Sequence, residues 1–104
     1  MDLIKSVLQE ELESSLETQK YYQKEISKLP RGSLSKKKTG GKAYYYLSYK
    51  EGSKVKTDYL GKLSDEKIKD YQDRINKRRH YQSQLRKVTK KIKYLRKVLN
   101  VKAI

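Results

Sequence analysis

The sequence predicts a mainly helical α+β fold: two long helices folded back as an antiparallel coiled-coil hairpin, with a small three-stranded antiparallel sheet inserted at the turn. Three observations predict it. Apolar residues recur on spacings of three and four toward both ends of the chain, a glycine-bounded segment from Gly32 to Gly61 changes to strand-like alternation, and Pro30 with Gly32 punctuates the boundary. With 104 residues, 35% hydrophobic and 38% charged, the chain reads as a single elongated domain, 1–104, with a modest core rather than a thick interior around a buried catalytic pocket.

The first helix is expected over Leu3–Lys28. Leu8, Leu12, Tyr22, Ile26 and Leu29 form its stripe, Ser15 and Gln19 fill the middle, and Leu16 lies beside it. Leu29 precedes Pro30 and so disfavours the helical region, while Gly32 permits a sharp exit.

The central segment divides at two glycine-bearing turns. Thr39-Gly40-Gly41 should join strand Leu34–Lys38 to strand Lys42–Tyr49, and Lys50-Glu51-Gly52-Ser53 should lead into Lys54–Leu60. Alternation sends Ala43, Tyr45, Leu47 and Tyr49 to one face of the middle strand and Tyr44, Tyr46 and Ser48 to the other, while Val55, Thr57 and Tyr59 share a face of the third. The face with Tyr45, Leu47 and Tyr49 is expected to be buried, leaving Tyr44 and Tyr46 outward beside Lys36, Lys38, Lys54 or Lys56.

The second helix is expected over Asp65–Asn100, with Ser64 as N-cap and Asp65 and Glu66 complementing the dipole of the first turn. Its stripe runs Ile68, Tyr71, Ile75, then Leu85, Val88, Ile92, Leu95 and Leu99. The polar interval Asn76–Gln84 predicts overwinding, a bend or looser packing there. Counting outward from the turn sets Glu17 opposite Asn76 and Glu10 opposite Ser83, which brings Glu10, Glu11, Glu13 and Glu17 against Lys77, Arg78, Arg79 and Arg86. On that count the end of the second helix has no partner, and Val88, Ile92, Leu95 and Leu99 would serve a homodimer.

Charge is distributed unevenly. The net charge is +15, with four basic against six acidic residues over 1–28, nine against two over 29–63, and fourteen against four over 64–104. Such a field favours encounters with polyanions. A basic helix also suits a membrane surface, but no Trp or Phe is present to sit at a lipid boundary. The early Asp2 and the lack of a long apolar run argue against a signal peptide or membrane span, so a soluble cytoplasmic protein is expected, and the absence of cysteine excludes disulfides and thiolate metal sites.

Catalytic signatures are missing. His80 is the sole histidine, set on a helix beside Arg78, Arg79 and Tyr81, and reads as a surface residue. Thr39-Gly40-Gly41-Lys42 lacks the spacing of a phosphate loop. Asp65, Glu66, Asp70 and Asp73 complement a helix start. No catalytic residue, cofactor or metal is expected.

What remains is basic and aromatic. Lysine and arginine hold phosphates, and tyrosine offers a flat face to a base or a hydroxyl to a phosphate. Nucleic-acid contacts are therefore expected from Arg31, Lys36, Lys37, Lys38, Lys42, Tyr44, Tyr46, Lys54 and Lys56 around the sheet, and from Lys90, Lys91, Lys93 and Lys97 on the second helix. Cross-strand tyrosine pairs also stabilise small sheets, so each ring has a structural reading too.

Arg31-Gly32-Ser33-Leu34, Gly41, Tyr44-Tyr45-Tyr46-Leu47, Lys54-Val55 and Tyr59-Leu60-Gly61 together resemble a short module of small, mostly uncharacterised bacterial and mobile-element proteins. The segment is also similar to a strand-turn-strand stretch of some transposase-like proteins. The resemblance implies an association with DNA mobility or its control and supplies no catalytic residues. Two functions follow as expectations: a non-enzymatic protein binding nucleic acid, DNA in preference to RNA, or an interaction protein such as an antitoxin or phage-encoded inhibitor that occupies a nucleic-acid-binding partner.

Overall fold

A computed structural model describes residues 2–100. Helix α1 (Leu3–Ser27) is followed by strands β1 (Ser33–Thr39), β2 (Lys42–Glu51) and β3 (Lys54–Gly61), and then by helix α2 (Asp65–Val98). The chain divides into two compact units, one made of residues 1–28 with 80–104 and the other of residues 29–79. Helix α2 thus contributes its first half to one unit and its second half to the other.

Each helix starts on a side-chain cap. Asp2 Oδ1 accepts the Ile4 amide at 3.0 Å, and Ser64 Oγ accepts the Lys67 amide at 3.2 Å, satisfying donors that the first turn of a helix leaves orphaned. At the other end of α2, Asn100 adopts φ 57°, a left-handed stop. Among the described residues, no helix is long and apolar enough to cross a membrane.

In the helical unit α1 packs antiparallel to the second half of α2. Leu12, Ile92 and Leu95 are buried, with Leu8, Leu16, Val88 and Leu99 packed around them. Ser15, only 4% exposed, occupies the middle of the α1 stripe, and beside it Gln19 Nε2 donates to Thr89 Oγ1 at 3.3 Å. Farther along, Tyr22 and Tyr81 meet with centroids 5.6 Å apart, and Tyr21 stands edge-on to Tyr81 at 6.3 Å.

These contacts correct the expected helix register. Glu11 pairs with Lys91, so α1 is displaced about ten residues along α2 relative to a count taken outward from the turn. The count assumed that both helices leave the turn together, whereas residues 65–79 of α2 belong with the sheet. Arg78 and Arg79 consequently face Leu29 and Gly32 rather than the acidic face of α1. The Val88, Ile92, Leu95 and Leu99 stripe likewise packs against Leu8, Leu12 and Leu16 of the same chain, so the expectation that it has no partner within the chain is corrected. Helix α2 also runs unbroken through Asn76–Gln84, where Tyr81 continues the spacing of three and four into Leu85.

The sheet unit has strand order β1-β2-β3, antiparallel throughout. Gly40 (φ 60°) and Gly41 (φ 77°) close the first hairpin in two residues, as a type I′ turn requires. Thr39 therefore pairs with Lys42, and odd residues of β1 stand opposite even residues of β2, Lys37 against Tyr44 and Ser35 against Tyr46. Gly52-Ser53 closes the second hairpin, pairing Glu51 with Lys54 and Tyr46 with Tyr59. Leu47 is buried, and Leu34 opposite it lines a cleft with Ile75, itself buried, and with Gln72, Asn76 and Arg79 of α2. The expected inner face is the one that turns to the helix.

Because removal of a buried leucine leaves a cavity, Leu12→Ala and Leu95→Ala should each destabilise the helical unit by about 2–5 kcal/mol, measured by urea unfolding followed by circular dichroism. A Glu11/Lys91 double-mutant cycle in the same assay should give a coupling of only about 0.2–1 kcal/mol, since both side chains are roughly half exposed.

Candidate nucleic-acid interface

Opposite residues in an antiparallel ladder share a face, so the register fixes what surrounds each tyrosine. Tyr44 and Tyr46 share theirs with Lys42, Ser48 and Lys50 of β2, with Ser33, Ser35 and Lys37 of β1, and with Val55, Thr57 and Tyr59 of β3. Lys36, Lys38, Lys54 and Lys56 lie instead on the face of Tyr45, Leu47 and Tyr49. The expectation that those four lysines flank Tyr44 and Tyr46 is therefore corrected, because both two-residue turns pair even positions of β2 with odd positions of its neighbours.

The ring that does flank them is Tyr59. Its centroid lies 5.2 Å from that of Tyr46 and 6.4 Å from that of Tyr44, and the residue is 61% exposed. Tyr44 and Tyr46 are half-buried. A bulge follows at once: Tyr46 pairs with Tyr59 but Tyr45 pairs with Gly61, leaving Leu60 without a partner. The shift of one residue brings Lys62 level with Tyr44 rather than Ala43, and its Nζ stands 6.0 Å from the Tyr44 ring centroid. Gly61, at φ 81°, lies under the edge of the Tyr59 ring.

Sequence reasoning placed neither Tyr59 nor Lys62 in the site. The signal was present in Gly52-Ser53, because a two-residue loop sets the pairing of every later residue of β3 until the bulge.

On the other face the cations are partly engaged. The Arg31 guanidinium carbon stacks 4.3 Å from the Tyr49 ring centroid, and Glu51 accepts Lys56 at 2.9 Å and lies 3.9 Å from Arg31. Arg78 donates to the Leu29 carbonyl at 2.9 Å, and Arg79 to the Gly32 carbonyl at 3.3 Å. Burial, with Arg31 nearby as a second cation, holds the Arg78 guanidinium below its ordinary value. Arg31 and Lys56 are therefore first of all clamps on the strand ends. Lys36, Lys37, Lys38, Lys42 and Lys54 are exposed.

The remaining candidates belong to the helical unit. Lys90, Lys91, Lys93 and Lys97 are all exposed on α2, with Lys91 engaged by Glu11.

The family model for a domain of unknown function, DUF6788, matches residues 2–70. The chain belongs to this family. The matched residues comprise α1, the whole sheet and the first turn of α2, so the DUF6788 region contains the tyrosine face and all the sheet lysines. No curated protein and no solved structure matches the chain.

Gly32 joins α1 to this DUF6788 sheet at φ 93°, and a Cβ built there would stand 2.0 Å from the Ser48 carbonyl oxygen. Backbone on both sides of the contact leaves little room to yield. Gly32→Ala should therefore destabilise the sheet unit by about 2 kcal/mol or more, read from a chemical-denaturation midpoint. A Gly40→Asn substitution in the open first turn should change stability by less than about 1 kcal/mol, because Asn tolerates the left-handed region and nothing lies within 4 Å of its Cβ.

Proposed function

We propose that the protein binds nucleic acid without catalysing a reaction on it, holding the phosphate backbone through the sheet unit. The observation that carries this reading is the crowding of uncompensated cations on β1 and the start of β2. Among the described residues, none of Lys36, Lys37, Lys38 and Lys42 takes part in an ion pair, although Glu25, Glu51, Asp70 and Glu11 each engage a cation elsewhere. Lysine on an edge strand also discourages strand-to-strand aggregation, and that role accounts for one or two such residues. Three consecutive lysines with a fourth across the turn repel one another, and a polyanion relieves the repulsion. DNA is the favoured target, in a mobile-element or phage setting, on the strength of the resemblance carried by Arg31-Gly32-Ser33-Leu34 and the Tyr44–Leu47 run.

Binding should fall steeply with salt. Each phosphate contact adds about 0.7–0.9 to the slope of log affinity against log salt, so replacing Lys36, Lys37 and Lys38 together by alanine should lower the slope by up to about 2–3. Fluorescence anisotropy across a salt series measures this. Affinity that is weak at every salt concentration, or indifferent to salt, would overturn the proposal.

A further inference from the structure

The lysines of β1 and the tyrosines of the sheet are separate features, and the second carries its own inference. We infer that the face bearing Tyr44, Tyr46 and Tyr59 is a stacking surface for the bases of single-stranded nucleic acid, with Lys37 and Lys62 receiving phosphates at its two edges. This rests on the nucleic-acid reading above and narrows it to unpaired strands.

Composition of the face is the first argument. Around the three rings the face carries the small hydroxyl residues Ser35, Ser48 and Thr57, and Tyr59 stands exposed while Tyr44 and Tyr46 are half-buried beside it. Ser48 and Thr57 hydroxyls lie 3.4 Å apart across the strands, and Ser35 Oγ donates to the Tyr46 carbonyl at 3.4 Å, so these polar groups are directed at the sheet itself.

Charge is the second argument. The two acids of the sheet, Glu51 and Asp58, pair with Lys54 and Leu47 and lie on the opposite face. The charged residues that share the ring face are all cations: Lys37, across from Tyr44 on β1, Lys42 and Lys50 near the two ends of β2, and Lys62, beyond the bulge at the β3 edge. A strand crossing the sheet would meet a cation on each side of the aromatic cluster and no carboxylate.

Geometry separates single strands from duplex. In a duplex each base already stacks on its neighbours, so it presents phosphates and groove edges but no free π-face. An exposed ring such as Tyr59 gains from an unstacked base and gains little from a phosphate wall. The bulge at Leu60 matters here, because it is what turns Lys62 onto the ring face.

The test uses the full chain with a labelled oligothymidylate of about 15 nucleotides and a duplex of the same length, compared by anisotropy at one salt concentration. Wild type should bind the single strand more tightly than the duplex. Tyr59→Ala and Tyr46→Ala should each weaken single-strand binding about tenfold while changing duplex binding much less, and Tyr59→Phe should retain the wild-type affinity. Tyr59→Leu keeps apolar cover over Gly61 but no flat ring, and should lose the same preference, which separates stacking from sheet stability. Equal binding of the two forms, or equal weakening of both by the tyrosine substitutions, overturns this inference and leaves the phosphate-binding reading standing. Failure of both oligonucleotides to bind overturns the two together.

Discussion

The parity of strand pairing is the constraint on which the rest of the sheet depends. A two-residue turn leaves no freedom in the count: once Gly40-Gly41 closes the first hairpin, Lys37 must stand opposite Tyr44. A slip of one residue between β1 and β2 would break the pairing of Leu34 with the buried Leu47 and the burial of their shared face. The helix and the turns thus enforce the same register, one through burial and the other through backbone geometry. Only the bulge at Leu60 departs from it, and it acts at the end of β3, where re-aiming a single side chain, Lys62, leaves the rest of the ladder intact.

A second layer of constraint is electrostatic. The sheet unit must hold Arg31, Arg78, Arg79 and Lys56 close to one another with few acids available. Carbonyl oxygens, an aromatic face and the carboxylate of Glu51 help to place their side chains. Hydrogen bonds from a charged donor to a neutral carbonyl contribute more than neutral pairs, about 1.5–3 kcal/mol each, and Leu29 and Gly32 offer theirs because the chain has just left α1 and makes no ladder there. Gly32 is therefore constrained twice, by the carbonyl it presents to Arg79 and by the Ser48 backbone that excludes a side chain.

Much of the fold was legible in local pattern. The cap at Ser64, the exit at Pro30 and Gly32, and the two glycine turns lie in the sequence within a few residues of the structure they specify, and the strand and helix bounds fall within two residues of those observed. The antiparallel pairing of the helices was legible but its register was not, because the register depends on how much of α2 the sheet unit occupies, and no local residue announces that. The same ignorance made Val88, Ile92, Leu95 and Leu99 look unpartnered. In the candidate site, the sequence singled out Tyr44 and Tyr46 but assigned them the wrong lysines, a parity error that the turn length could have prevented. Tyr81 was overlooked for a different reason: among Asn76, Lys77, Arg78, Arg79 and His80 it reads as part of a polar run, although its spacing to Leu85 places it in the stripe.

The structure also separates two kinds of lysine that composition treats as one. Lys91 lies against Glu11 in the helical unit and Lys56 against Glu51 in the sheet, and exposed pairs of this kind contribute at most about 1 kcal/mol. Lys36, Lys37, Lys38 and Lys42 have no such ion-pair partner among the described residues; the first three follow Leu34, the apolar residue of β1 that lines the cleft with Ile75, and Lys42 lies across the turn at the start of β2. An edge strand anchored by one apolar residue and then loaded with cations is poorly stabilised by its own side chains. Its order comes from the ladder to β2, so the turn that sets the ladder also holds the lysines at fixed intervals along one edge. Regular spacing is what the proposed phosphate-binding edge requires and a flexible basic tail lacks, and here it is supplied by the backbone of β2 rather than by any ion pair the lysines make.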